Sequence, residues 1–179
     1  MKIAVFCGSR LPKNPIFSQE ALELARYLVD NNHSMVYGGA KVGIMGIIAD
    51  EMLRLGGTVI GVMPQILVDK EVIHEGLSET HIVDSMSVRK QLINDMSDAF
   101  IAFPGGCGTM DEIFEVITLN QINYFSKPVG FVNIEGYYDG IQAYLQTATS
   151  VGFVSESDAN EVLFTKSSVE IVKIIESKN

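Results

Sequence analysis

The sequence predicts an α/β fold on a mainly parallel sheet, and two observations carry that expectation. Short apolar runs, each about five residues long, alternate with longer segments of helical period through nearly the whole chain. Several of these runs are apolar at successive positions, the pattern of strands covered by helices on both faces.

In chain order, strands are predicted at Lys2 to Cys7, Met35 to Tyr37, Thr58 to Met63, Ala99 to Phe103 and Val129 to Val132, with a weaker one at Val162 to Phe164. Helices are predicted at Phe17 to Val29, Ile44 to Leu55, Val88 to Met96, Met110 to Gln121, Tyr138 to Val151 and Val169 to Glu176. Gly56-Gly57 is a stop signal for the second helix, and Ser167 with Glu170 has capping-box spacing at the last. Right-handed crossovers between such units give a Rossmann-like three-layer sandwich with a doubly wound sheet. Residues 64–85 fit neither period. Pro64 and Gly76 interrupt them, and Asp69, Glu71, His74, Glu75, Glu79 and His81 load them with polar groups. A connection this long is expected either to line or close a site or to be a mobile surface excursion.

With 179 residues, 47% of them hydrophobic, the chain suits one domain, residues 1–179, with a substantial core. Its 13 basic residues stand against 22 acidic ones, for a net charge of -9. That balance removes the broad attraction that nucleic acid or an anionic membrane needs, so neither partner is expected and any phosphate site is local. The two cysteines, Cys7 and Cys107, are too far apart in sequence to argue a disulfide scaffold or a CxxC ligand set, which fits a reducing, cytoplasmic setting. Met1 to Cys7 carries no signal-peptide pattern, and no run approaches the roughly 20 apolar residues of a membrane span. His33, His74 and His81 lack a ligand spacing, so they are read as surface or loop residues and no metal is expected.

Three loops follow predicted strands and therefore gather at one edge of the sheet. They are Cys7-Gly8-Ser9-Arg10, the stretch from Tyr37 to Gly46, and the stretch from Phe103 to Glu112. Glycine lets the chain turn tightly and bring bare N–H groups against an anion, while a following helix adds its partial positive charge. Taken alone, the second loop could equally be an ordinary tight turn. The third combines three glycines, Thr109 at a predicted helix start and Glu112 one turn on, so it can hold a phosphate and present a carboxylate together. Neither loop is a Walker A sequence, and no acidic ribose ligand follows at dinucleotide-fold spacing, so triphosphate hydrolysis and nicotinamide chemistry are disfavoured.

Pro104-Gly105-Gly106-Cys107-Gly108-Thr109-Met110-Asp111-Glu112, preceded by Met86-Ser87-Val88-Arg89-Lys90, resembles the Lonely Guy (LOG) family of cytokinin riboside 5'-monophosphate phosphoribohydrolases. The likeness runs from Phe6-Cys7-Gly8-Ser9 to Gly136-Tyr137-Tyr138. It departs from the family at Ala40, where many relatives have a third consecutive glycine. The resemblance implies hydrolysis of the N-glycosidic bond of an N6-substituted adenosine monophosphate, and of AMP, by a homodimer without metal or organic cofactor. It also implies Arg89 and Glu112 as the catalytic pair. Substrate contacts would come from Gly8, Ser9, Gly38, Gly39, Gly43, Met45, Glu71, Met86, Lys90, Gly105, Gly106, Cys107, Gly108, Thr109 and Thr118. Cys107 fills the variable motif position and is not expected to be a nucleophile, since no activating base stands beside it. Some relatives are labelled lysine decarboxylases, but no arrangement for holding pyridoxal phosphate is recognisable.

Cleavage of the glycosidic bond builds positive charge on the ribose, which calls for negative charge beside the sugar. Glu112 could bond ribose hydroxyls, stabilise the oxocarbenium-like state, or orient water; Arg89 could clamp the phosphate or hold Glu112 in place. The rival reading is a non-catalytic nucleotide or cofactor carrier with the same phosphate cradle. Helix Met110 to Gln121 also carries Ile113, Phe114, Val116, Ile117 and Leu119, more apolar surface than one sheet face needs. Core packing or a second subunit could cover it.

Overall fold

Strand β1 (Lys2–Phe6) lies at the centre because it is apolar on both faces and nothing but helices can cover it. The computed structural model describes residues 1–68 and 73–178. From β1 the chain runs outward one way through α1 (Ile16–Asp30), β2 (Ser34–Tyr37), α2 (Gly43–Arg54), β3 (Val59–Pro64), the single turn α3 (Gln65–Val68) and β4 (Glu79–Val83). It then crosses back through α4 (Met86–Met96) to β5 (Ala99–Ala102) on the other side of β1. From there it continues through α5 (Cys107–Gln121), β6 (Val129–Val132), α6 (Asp139–Ser150), α7 (Glu156–Glu161), β7 (Val162–Thr165) and α8 (Ser168–Lys178). The strand order is β4-β3-β2-β1-β5-β6-β7 and every pairing is parallel.

Alternation along β1 sorts the core into two layers. Ile3 and Val5 pack with Leu24 of α1, Ile48 of α2 and Ile171 of α8; Ala4 and Phe6 pack with Ile93 of α4, Ile113 of α5 and Leu145 of α6. The two faces of the sheet are thus covered by separate helix sets, as a doubly wound three-layer sandwich requires.

The predicted strands and helices fall within a few residues of the observed ones, and the differences have physical causes. Residues 64–85 are not one loop, since they contain α3 and the edge strand β4, whose mixed sequence Glu79-Thr80-His81-Ile82-Val83 is half exposed. Helix α7 is six residues with no buried position, so it has no apolar stripe to read. Gly56 does stop α2: at φ +80 it donates to Leu53 O, and Gly57 donates to Met52 O. At α8 the Ser167 hydroxyl accepts from Val169 N, while Glu20 takes the Ser168 amide. His33 and His74 do stand in loops but are buried, and His81 lies in β4. His33 Nε2 lies 2.7 Å from Glu176, and His74 Nε2 lies 3.0 Å from Asp50. Among the described residues no helix is long and apolar enough to cross a membrane.

Candidate active site

Strand order reverses at β1, so the loops leaving β1 and β5 diverge and open a crevice at the carboxyl edge of the sheet. A cavity of about 770 Å³ fills it, walled by residues from both loops and from α4. The two loops are tied together by Gly8 N, which donates to Pro104 O at 3.2 Å, and the Tyr137 hydroxyl, from the segment after β6, donates to Gly105 O at 2.6 Å. Behind them the Tyr138 hydroxyl donates to Phe103 O.

One helix presents its amino end to this cavity and another does not. Helix α5 has Gly106 as its N-cap, and its first internal bond runs from Met110 N to Gly106 O. The amides of Cys107, Gly108 and Thr109 therefore have no helical acceptor, and among the described residues no other protein group accepts from them. All three residues line the cavity, which places the positive end of α5 in it. Helix α2 looks equivalent in sequence, but Ile44 N and Met45 N both donate to Gly8 O, at 3.0 and 3.4 Å. Gly43, at φ +62, makes this possible, because a Cβ there would sit 2.3 Å from the backbone of Ser9. The second glycine loop is thus a brace for the first.

Arg89 and Glu112 meet at the back of the cavity, Nη1 to Oε1 at 3.0 Å. Each side chain is only 12% exposed, so solvent and salt screen the pair far less than a surface pair. The contact is not aligned as a hydrogen bond, and Glu112 Oε1 has no hydrogen-bond partner among the described residues. Burial pushes the Glu112 carboxyl above the usual glutamate range; the Arg89 charge pulls it back, Asp111 raises it, Lys90 lowers it and Glu115 raises it. Arg89 is fixed from two sides. Its Nε donates to Val62 O of β3, and Gly38 leaves room for its Nη2, which a Cβ would approach to 2.3 Å. Ser85 caps α4 by accepting from Val88 N, one residue before Arg89. Cys7 lies beneath the pair, and burial, with the nearby Glu112 charge, drives its thiol far up, so it stays neutral.

The cavity brings together Gly8, Ser9, Met45, Met86, Arg89, Gly105, Gly106, Cys107, Gly108, Thr109 and Glu112 of the residues singled out from sequence. Gly38, Gly39 and Gly43 do not line it: Gly38 backs Arg89, Gly43 packs on Ser9, and Gly39 accepts from His74 N. Ala40 forms a bridge with Ile73, away from the opening. Lys90 and Thr118 also lie off the cavity; Lys90 pairs with Glu115 and Asp111, and the Thr118 hydroxyl donates to Phe114 O. Glu71 lies outside the described residues. Sequence reasoning did not name Leu11, Pro12, Phe17, Ile44, Leu67 or Tyr137 for this wall. They are ordinary apolar residues from separate elements, and only folding makes them one surface.

The sequence matches the family model described as "Possible lysine decarboxylase" over residues 45–175. It is 39% identical over 175 residues to the cytokinin riboside 5'-monophosphate phosphoribohydrolase LOG1 of Arabidopsis thaliana, covering 98% of this chain and 82% of that protein. It is 41% identical over 162 residues to the probable phosphoribohydrolase LOGL1 of Oryza sativa subsp. japonica, covering 90% and 72%. Among solved structures, the molybdenum cofactor binding protein of Rippkaea orientalis shares the fold at a TM-score of 0.73 and 20% identity, over 99% of this chain and 96% of that one. The Moco carrier protein of Chlamydomonas reinhardtii does so at 0.71 and 20%, over 99% and 98%. The identity to the plant proteins over nearly its whole length makes this chain a member of the LOG family.

Proposed function

We propose that the chain hydrolyses the N-glycosidic bond of adenosine 5'-monophosphates, N6-substituted ones and AMP, releasing free base and ribose 5-phosphate. The observation that carries this is the placement of Glu112: a largely buried carboxylate that lines the cavity, ion-paired with Arg89, on the same helix whose free first-turn amides face that cavity. The activity printed for the plant relatives supports the same reaction.

In this reading the 5'-phosphate rests on the amides of Cys107, Gly108 and Thr109, where the helix end favours an anion without a fully charged partner. The ribose then lies over Glu112, and the base extends along Met45, Met86, Phe17 and Leu67. As the C1'–N9 bond breaks, positive charge on the ribose is met by the carboxylate in a site with little water to screen it. Water adds at C1' as the base departs, and a proton returns to the base nitrogen. Arg89 keeps Glu112 ionised against the cost of burial and fixes its direction. The site uses neither metal nor organic cofactor, and the protein works as a cytoplasmic homodimer.

The test is incubation with AMP and with isopentenyladenosine monophosphate, followed by assay of free base and ribose 5-phosphate. Glu112→Ala should retain phosphate affinity and lose most turnover; full activity in that variant removes the catalytic assignment. Binding of AMP by the native chain without any turnover would instead mark a carrier, the role printed for the Chlamydomonas protein.

A further inference from the structure

Three carboxylates crowd the first three turns of α5, at Asp111, Glu112 and Glu115, and two cations face them from successive positions of α4. Successive helix positions point about 100° apart, so Arg89 and Lys90 take different partners. Arg89 reaches Glu112 and Val62 O. Lys90 Nζ lies 2.5 Å from Glu115 Oε2 and 3.3 Å from Asp111 Oδ2. It sits in a narrow seam between the helices, lined also by Phe6, Ile93, Asn94, Glu112 and Glu115, behind the cavity wall. Glu112 alone of these borders both the seam and the cavity.

From this arrangement we infer that Lys90 is a positioning residue acting through Glu112: as the counter-ion of Asp111 and Glu115, it keeps those carboxylates off Arg89 and leaves the guanidinium to Glu112. The inference rests on the reading that Glu112 serves the ribose as a carboxylate. An ammonium is a compact charge that two carboxylates can share, whereas the flat guanidinium fork is committed by direction, so the division of labour follows from the two chemistries. The charged or titratable groups facing Glu112 are Arg89 and Lys90 from α4, Asp111 and Glu115 from α5, and the neutral thiol of Cys7 from the end of β1. The other charged or titratable residues of the cavity wall are Arg10, Cys107 and Tyr137. Removing Lys90 leaves two unneutralised like charges beside Glu112, which disfavours its ionised form.

The experiment is the pH dependence of AMP hydrolysis by the native chain, Lys90→Met, Lys90→Arg and the double variant Asp111→Asn/Glu115→Gln. Lys90→Met should move the acid limb of kcat upward by about one pH unit while KM stays in place. Lys90→Arg should hold the native limb, and the double variant should move it downward, which keeps the inference testable if Lys90→Met fails to fold. A raised KM with an unmoved limb in Lys90→Met would make Lys90 a substrate contact and overturn the inference, as would a limb unmoved in the double variant. If the native chain shows no turnover, the function proposed above fails separately. Carbon-13 NMR titration of the Glu112 carboxyl then reads the same shifts, and an unshifted Glu112 in Lys90→Met sinks the inference.

Discussion

Replacing Gly38 with alanine should damage the site and spare the fold. A Cβ at this position would stand 2.3 Å from Arg89 Nη2, against the roughly 3.5 Å of an ordinary contact, so the guanidinium must retreat by about 1 Å. The atom that moves is the free end of a long side chain, and Gly38 is not among the glycines with positive φ, so the backbone accepts the methyl. Stability should change by about 1 kcal/mol or less, since Gly→Ala at a compatible position also restricts the unfolded chain. The site has less tolerance, because Arg89 Nη1 and Nε each hold a 3.0 Å contact, to Glu112 and Val62 O respectively. A displacement of about 1 Å costs on the order of a hundredfold in rate, near 2.7 kcal/mol of transition-state stabilisation. Thermal melts and kcat/KM for AMP, measured on the same preparation, separate the two effects. A Gly38→Ala protein that hydrolyses AMP at the native rate would refute the claim that this glycine holds Arg89 in the place the proposed reaction needs.

Three further outcomes follow from the same geometry. Gly43→Ala meets backbone of Ser9 and Arg10 at 2.3–2.4 Å and starts from φ +62, so nothing flexible can yield; denaturant unfolding should show a loss above ~2 kcal/mol, and native stability would contradict the packing. For Glu112, burial raises the folded-state pKa above the unfolded one, so between the two values the folded chain binds more protons. Stability should therefore fall as pH rises through that window while kcat climbs, and Glu112→Gln should flatten both curves; a native kcat that does not fall with acidity counts against an ionised Glu112. Iodoacetamide should label the exposed Cys107 and leave buried Cys7 intact, with AMP slowing the reaction; equal labelling of the two thiols would contradict the burial assignment.

Much of the architecture was legible because central strands of a covered parallel sheet are apolar on both faces, as Ala99 to Ala102 and Val129 to Val132 are. What escaped notice lacks that signal. Strand β4 is an edge with one flank open, so His81 and Thr80 serve there as well as valines would. Helix α5 was expected to start at Met110 and starts at Cys107, because Gly106 and Gly108 read as loop until the N-cap geometry is seen. The glycine loops posed a subtler problem. Nothing in Gly38-Gly39-Ala40 or Gly105-Gly106-Cys107 says whether the amides of the next helix are free, since that depends on a carbonyl from a third segment, Gly8. Likewise the neighbours Arg89 and Lys90 read as one basic pair, and only the approach of α5 to α4 divides them.

The engagement of Gly8 O by Ile44 and Met45 makes the two glycine loops unlike in what they can offer a ligand. Of two glycine-marked helix heads, the second has two of its first-turn amides engaged from within, so among the described residues the α5 head is the one that leaves Cys107, Gly108 and Thr109 open to the cavity. The carbonyl of Gly8 is therefore a lock on the second helix head, and the first head is left to do the work of holding an anion.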